Sequence, residues 1–301
     1  MSVYFYLQCI LVLTTISKFE CGVVSTTEHP PETSQSDLLL NITRRMDILE
    51  AQNVKMMTVL LNTQTQKIPE FQKSDYPNDC YEVKARGHTD SGVYIIKTKI
   101  SPQPFAVFCD MHTKGGGWTY FFNRFDGSTE FYLKWSDYKI GFGSLLEEHW
   151  LGLEYLHQLT VSGNYEMLVE MADWDEVVAY ANYDVFVVGA ESEGYVLKAV
   201  GGYSGSAGDS MSYYSGMKFT TQDRDHDFRP TGNCAVDSHG AWWYKACTKS
   251  NPTATYLKQA RVSPNKYNIM YWYTFRGIDY SLKRMKMMVR PRVKPHLTDE
   301  M

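Results

Sequence analysis

Hydrophobic and polar positions follow three different rhythms along the chain, and each rhythm marks a different region. The opening stretch, MSVYFYLQCILVLTTIS, is an apolar run that stops at Lys18. Its apolar part is about 14 residues long, short of the roughly 20 that a membrane span requires. Residues 1–21 therefore read as a signal peptide, although the usual basic n-region is missing. Cleavage after Ser17, with Thr15 at the −3 position, satisfies the small-residue rule and keeps Cys21; the alternative, a later cleavage, would remove Cys21. An uncleaved signal anchor is the alternative reading. Residues 22–37, GVVSTTEHPPETSQSD, are polar and carry adjacent prolines, which predicts a flexible linker.

Over residues 38–68 the apolar positions recur every seven. Leu39, Met46, Asn53 and Leu60 occupy one position of the repeat, and Ile42, Leu49, Met56 and Thr63 the complementary one. This predicts a helical coiled-coil stalk with a seam of about three and a half heptads, in which Asn53 fixes register and favours a dimer. A lone amphipathic helix lying on the globular part is the other reading. Pro69 and Pro77 end the segment. From Asp79 to Arg292 the rhythm shortens towards two. GVYIIKTKI, PFAVFCDM, YEMLVEM and YVLKAV read as strands separated by glycine-rich turns. One helix is expected at EEHWLGLEYLHQLT, where Trp150, Leu153 and Leu156 repeat at helical spacing. Strands outnumber helices without the alternation of a parallel sheet, so residues 79–292 form an α+β domain around an antiparallel sheet.

Composition narrows the function. The 301 residues are 44% hydrophobic and 14% aromatic, enough for a substantial core. A net charge of −4 argues against general nucleic-acid binding, which needs a basic footprint. The basic exception is the cluster Lys283, Arg284, Lys286, Arg290, Arg292 and Lys294. Within SLKRMKMMVRP it alternates with apolar residues, as in a half-exposed strand with a solvated tail. Cys80 with Cys109, and Cys234 with Cys247, make two local pairs that read as disulfides in an exported protein. Each would stabilise the fold by roughly 3 kcal/mol on the chain-entropy model. No C-x-x-C or H-x-x-x-H spacing supports zinc instead. Cys9 lies in the signal segment. Cys21 is left odd, and an odd exported cysteine beside a stalk joins chains. Asn41, in NIT, is a glycosylation acceptor by motif.

The order of motifs in the globular part identifies a family. DCYEVKARGHTDSGVYIIKTK, PFAVFCDMHTKGGGWTYFFNRFDGSTEFYLKWSDYKIGFG, EEHWLGLEYLHQLT and GAWWYKAC follow one another between Asp79 and Pro291. They resemble the C-terminal domain of fibrinogen and its relatives, the ficolin-like, tachylectin-like and invertebrate fibrinogen-related lectins. The resemblance implies a cysteine-linked N-terminal part closed by Cys80 and Cys109, a central antiparallel sheet, and a loop-rich part carrying calcium and a ligand pocket. Gly115, Gly116 and Gly117 then serve a tight turn into the sheet. They precede a strand, so a phosphate cradle is not expected.

The loop DRDHDFRPTGNC tests that implication. Alternating carboxylates on a tight loop suit a hard cation. An EF-hand is excluded, because counting from Asp223 puts Phe228 where glycine is required and Cys234 where glutamate is required. The resemblance implies one structural Ca2+ held by the side chains of Asp225 and Asp227 and by backbone carbonyls around Arg229 and Thr231. The stretch from Asp227 to Cys234 is one residue longer than the common pattern, which puts the carbonyl positions in question. The alternative is an exposed acidic turn without metal.

The resemblance also implies a pocket for an acetyl group built from Tyr244, Ala246, Cys247, Thr248 and Tyr267, with a cis peptide between Ala246 and Cys247. Here the sequence departs from the family's lectins. Thr248 replaces the usual histidine and Ser238 the usual aromatic, and the segment after Ser250 and Asn251 is PTATY. Trp242 and Trp243, on an expected inner strand, are assigned to the core. No catalytic constellation competes: GYSGSAG fails the nucleophile-elbow spacing. His149 and His157 are eight apart, not at metal spacing, and read as surface or satisfied core residues. A binding protein is expected, not an enzyme. Two readings follow. One is a secreted, calcium-supported lectin for acetylated or related glycans in innate immunity, oligomeric through 38–68 and Cys21. The other is a secreted angiopoietin-like ligand or matrix protein whose domain binds a protein receptor.

Overall fold

A computed structural model of the chain describes residues 76–261 and 267–292. The expected signal segment, linker and stalk, with Cys21 and Asn41, lie outside the described residues. The domain starts at Asp79, whose side chain accepts from the Glu82 amide and so caps helix α1 (Cys80–Ala85). Strands β1 (Gly92–Ile96), β2 (Phe105–Asp110) and β3 (Trp118–Arg124) follow as an antiparallel meander. Cys80 and Cys109 are bonded, with Cα atoms 5.3 Å apart, and tie α1 to β2. Between β2 and β3 the chain reverses through Lys114 and three glycines at positive φ. A Cβ on Gly116 would meet the Met111 carbonyl oxygen at 2.0 Å, so only glycine fits that position.

The sheet is completed out of chain order. Helix α2 (Trp135–Ile140), the short strands β4 (Phe142–Gly143) and β5 (His149–Trp150), and helix α3 (Leu153–Thr160) lead to β6 (Tyr165–Ala172), β7 (Val178–Val188) and β8 (Leu197–Gly205). The last strand, β9 (Arg284–Pro291), inserts between β3 and β6, giving the order β1-β2-β3-β9-β6-β7-β8 with every pair antiparallel. Residues 206–283 therefore leave from one edge of the sheet and return at its centre.

Alternation explains why β9 can sit there. Met285, Met287 and Val289 point into the main core, while Arg284, Lys286 and Arg290 alternate with them. The basic set is met by acids on β6, on β7 and in the turn between them. Arg290 pairs with Glu166 at 2.6 Å, Lys286 with Glu170 at 3.0 Å, Arg292 with Asp184 at 2.7 Å, and Lys283 and Arg284 share Glu176. The stems of Arg290 and Lys286 also cover a small second cluster of Trp118, Tyr120, Leu168 and Met288. A half-exposed strand is what the alternation in SLKRMKMMVRP indicated.

Two expectations need correction. The helix begins at Leu153, not within EEHW; Trp150 belongs to β5, and Gly152, at φ +113°, separates the two. Trp150 is instead an aromatic hub, with Phe121, Tyr138, Phe219, Trp242 and Trp243 at ring distances of 5.4 to 6.5 Å. His149 is buried and its Nδ1 meets the Glu147 carbonyl, but Nε2 has no partner among the described residues, so it is not a satisfied core histidine. His157 does find one, the Val188 carbonyl at 2.9 Å.

Asp110 joins several of these parts. It accepts from the amides of His112 and Thr113, from the Thr113 hydroxyl and from Tyr120 OH, at 2.6 to 2.9 Å. Burial alone would raise its pKa, but these donors outweigh it and hold the carboxyl below its ordinary value. A depressed carboxylate stabilises the fold above its unfolded pKa and loses that contribution as pH falls through the folded value. Asp110→Asn should lower the melting temperature at neutral pH, and its deficit against the wild type should shrink as pH drops below about 4. A deficit that stays constant down to pH 3 would show that the charge is not what Asp110 contributes.

Candidate functional site

Among the described residues the stretch from β8 to β9 has one 3-10 turn, at Ser212–Tyr214, and two short helices, α4 (Cys234–Ser238) and α5 (Tyr273–Arg276), yet much of it is buried. The three aspartates at its acidic end have different roles. Asp223 accepts from the Trp135 amide at 2.9 Å and from Thr221 Oγ1 at 2.7 Å, fixing the start of α2. Burial opposes its ionisation, but these donors keep its pKa below the ordinary value. It is structural. Asp225 Oδ1 accepts from the Asp227 amide at 3.1 Å, and Asp227 accepts from the amides of Arg229 and Cys234 at 2.8 and 2.7 Å. Burial, followed by the neighbouring Asp225 carboxylate, raises the pKa of Asp227 despite those donors.

This arrangement fits a hard cation. Two carboxylates lie beside each other at the cost of mutual repulsion, and no protein donor among the described residues reaches the carbonyl oxygens of Arg229 or Thr231. The Arg229 guanidinium turns away to pair with Asp237 on α4. Asp225, Asp227 and these two carbonyls would supply the oxygens for Ca2+, whose charge would remove the repulsion and brace the loop. Among the described residues no group of three or more His, Cys, Asp or Glu side chains gathers for a metal, so carbonyls and water would have to complete any shell.

The acidic loop is joined to the expected ligand segment twice. The Cys234–Cys247 disulfide links them with Cα atoms 5.5 Å apart, and the Phe228 amide donates to the Lys245 carbonyl at 2.7 Å. The Ala246–Cys247 peptide is cis. Ala246 is exposed, Cys247 and Thr248 are half-buried, and Tyr267 is 46% exposed. The Thr248 hydroxyl is hydrogen-bonded to Tyr271 OH. These four positions are accessible to solvent to differing degrees. Tyr244 is not among them: fully buried, it donates to Asn251 Oδ1 at 2.8 Å and supports the site from behind. The expected inner strand at AWWY is also absent. A single bridge, Thr220 with Trp242, is all the pairing there, and both tryptophans enter one core with ring centroids 4.9 Å apart.

Asn251 is the residue that sequence reasoning missed. Its buried amide donates to the carbonyls of Ser238 and Tyr267, both at 2.8 Å, while its oxygen takes the Tyr244 hydroxyl. One side chain thus holds the end of α4, the Tyr267 wall and the residue behind Cys247. Tyr214 does similar work next door, accepting from the Ser250 amide at 2.7 Å and donating to the Ser250 carbonyl at 2.9 Å. In sequence, an asparagine followed by proline reads as a turn, and nothing local marks it as a clamp.

The family model described as the C-terminal globular domain of fibrinogen beta and gamma chains matches residues 76–292. The chain belongs to this family. Its fibrinogen-like domain is 43% identical over 221 residues to fibrinogen C domain-containing protein 1-B of Xenopus laevis, covering 72% of this chain and 48% of that protein. The chain thus spans about half the length of that relative. Microfibril-associated glycoprotein 4 of Mus musculus is 44% identical over 219 residues, covering 71% of this chain and 84% of the relative. Among solved structures, the fibrinogen-like globe domain of human ANGPTL2 superposes with a TM-score of 0.70 at 42% identity, covering 72% of this chain and all of that one.

Asn251→Ala would take their partner from the buried Ser238 carbonyl, the part-buried Tyr267 carbonyl and the buried Tyr244 hydroxyl. At about 1–3 kcal/mol for an unsatisfied buried group, partly relieved by local movement, a loss of about 2–4 kcal/mol is expected in urea unfolding. An unchanged midpoint would show that the fibrinogen-like loops do not depend on this clamp.

Proposed function

We propose that this chain is a secreted pattern-recognition lectin that takes acetylated or related glycans on the surface formed by Ala246, Cys247, Thr248 and Tyr267, with one Ca2+ at Asp225 and Asp227 bracing it. The observation that carries the reading is the double tie between the acidic loop and residues 245–247, through the Cys234–Cys247 bond and the Phe228–Lys245 hydrogen bond. Any cation that stiffens the loop also stiffens the surface beside it. The protein acts by binding, not catalysis, in innate recognition. Each site is shallow and weak alone, so oligomers through residues 38–68 and Cys21 would supply avidity. Among the described residues no helix is long and apolar enough to cross a membrane.

A second reading has its own support. Thr248 is tied to Tyr271, and Ser238 is buried with its carbonyl held by Asn251, so neither stands in for the histidine and aromatic of the family's acetyl pocket. With relatives named for microfibrils and an angiopoietin-like globe among its matches, the domain would then serve a protein receptor or the matrix.

Capture of the secreted protein on an N-acetylglucosamine resin separates the two. The lectin reading expects retention with calcium and release by chelator or free sugar; no retention from a calcium-loaded protein would favour the receptor reading. Calcium should raise the melting temperature of the wild type and leave an Asp225→Ala, Asp227→Ala variant unmoved. Equal calcium shifts in both proteins would rule out the metal site.

A further inference from the structure

Away from the loop region, a cleft lies where the end of α2, the first turns of α3 and the segment leading into β2 meet. Its larger part is a cavity of about 320 Å³ between Pro102, Pro104, Ile140, Tyr155 and Gln158. That volume lies within the range of small-molecule sites, roughly 300–1,000 Å³. Ile140 and Tyr155 also line an adjoining cavity of about 220 Å³, whose other walls include Phe105, Phe142 and Leu145. No residue of 206–283 lines either one. Tyr155 stacks on Phe105 with ring centroids 4.2 Å apart, which fixes the wall that the two cavities share. Ile140, the other shared residue, is 66% exposed, so the cleft opens to solvent there.

One polar group in this apolar setting has no partner. Gln158 is only 6% exposed, and its Nε2 donates to Glu154 Oε1 at 2.9 Å, one helical turn back on α3. A carboxylate oxygen only accepts, so the amide nitrogen must be the end that faces Glu154 and Oε1 the end that does not. That Oε1 is buried and meets no donor among the described residues. The charged groups of the cavity are engaged, by contrast. Lys139 Nζ pairs with Glu191 at 2.6 Å, and Glu154 Oε2 accepts from Tyr195 OH at 2.8 Å.

We propose that this cleft binds an uncharged aliphatic molecule ending in one hydrogen-bond donor, a hydroxyl or an amide N–H. The donor meets Gln158 Oε1, and the chain lies against Ile140 and Tyr155. The inference is independent of the glycan reading, because the two surfaces share no residue. Hydrocarbon gains from leaving water for the proline, isoleucine and tyrosine walls. A buried acceptor is costly to leave unpaired, so the site favours a chain that carries a donor over one that does not. A carboxylate or an ammonium would be desolvated without a free counter-charge, since Lys139 and Glu154 already have partners.

The test is calorimetric titration of the full chain with 1-octanol and with octanamide. Methyl octanoate, which has no donor, and the octanoate and octylammonium ions serve as comparisons. Saturable binding of octanol or octanamide is expected, and the two arms say which donor fits. Methyl octanoate should bind roughly fivefold more weakly, and both ions more weakly still. Gln158→Met, which keeps the length of the side chain, should bring the favoured ligand down to the level of methyl octanoate. Ile140→Asp, a change at an exposed side chain, should abolish binding without moving the melting temperature. Leu146→Asp, at a side chain 70% exposed and outside both cavities, should change nothing. No saturable binding by the wild type overturns the proposal. So does equal affinity for octanol, octanamide and methyl octanoate, or full affinity in the Gln158→Met protein. Should Gln158→Met fail to fold, the wild-type preference for a donor and the Ile140→Asp result still decide. A wild-type dimer that Ile140→Asp splits into monomers would give the cleft to a second copy of the chain and overturn the proposal as well.

Discussion

A buried backbone must find a hydrogen-bond partner for nearly every amide and carbonyl, and residues 206–283 have almost no helix or strand to provide them. The fibrinogen-like fold meets this constraint with side chains. Asn251 serves two carbonyls and a hydroxyl, Tyr214 serves residues 249 and 250, and the Thr253 hydroxyl exchanges hydrogen bonds with the Ala241 backbone. Arg124 reaches out of β3 to the carbonyls of Pro252 and Ala254. Each such bond contributes only about 1 kcal/mol net, but losing one partner strands a buried polar group, so the network holds as a set. The proposed ligand surface lies over this network.

The aromatic core supplies the complementary, non-directional part. Trp150 stands between Phe121 on the sheet and Phe219, Trp242 and Trp243 in the loop region, so burying the loops and covering the sheet are one event. The two disulfides secure different parts of the domain. Cys80–Cys109 secures the entry to the sheet, and Cys234–Cys247 secures the acidic loop to the surface segment. In that segment Ala246 is exposed, while Lys245, Cys247, Thr248 and Lys249 are half-buried.

Charge is distributed by the same logic. The conspicuous basic stretch of the sequence is the central strand β9, where acidic neighbours on β6 and β2 cancel it and its stems cover Trp118 and Tyr120. The lysines of YKACTK pair with no carboxylate among the described residues and lie near the rings of Tyr213 and Tyr273 instead.

Much of the architecture was determined locally. Alternation in GVYIIKTKI, PFAVFCDM and YEMLVEM specified β1, β2 and β6, because period two with branched and aromatic residues fits a half-buried strand wherever it pairs. Cysteine spacing matched the two bonds that form, and the order of motifs carried the family. β7 was harder to read, since its inward positions include Ala179 and Ala181, whose small side chains give little contrast. Other features were decided by tertiary structure alone. Asp223 and Asp227 are chemically identical, and only the position of the Trp135 amide makes one a helix anchor while Asp225 makes the other part of an acidic pair. Tyr244 and Tyr267 are equally tyrosine, but one is sealed behind Asn251 and the other faces solvent. A sequence records which groups a residue carries; which partner is within 3 Å, and on which side water lies, depends on segments that meet only when β9 closes the sheet.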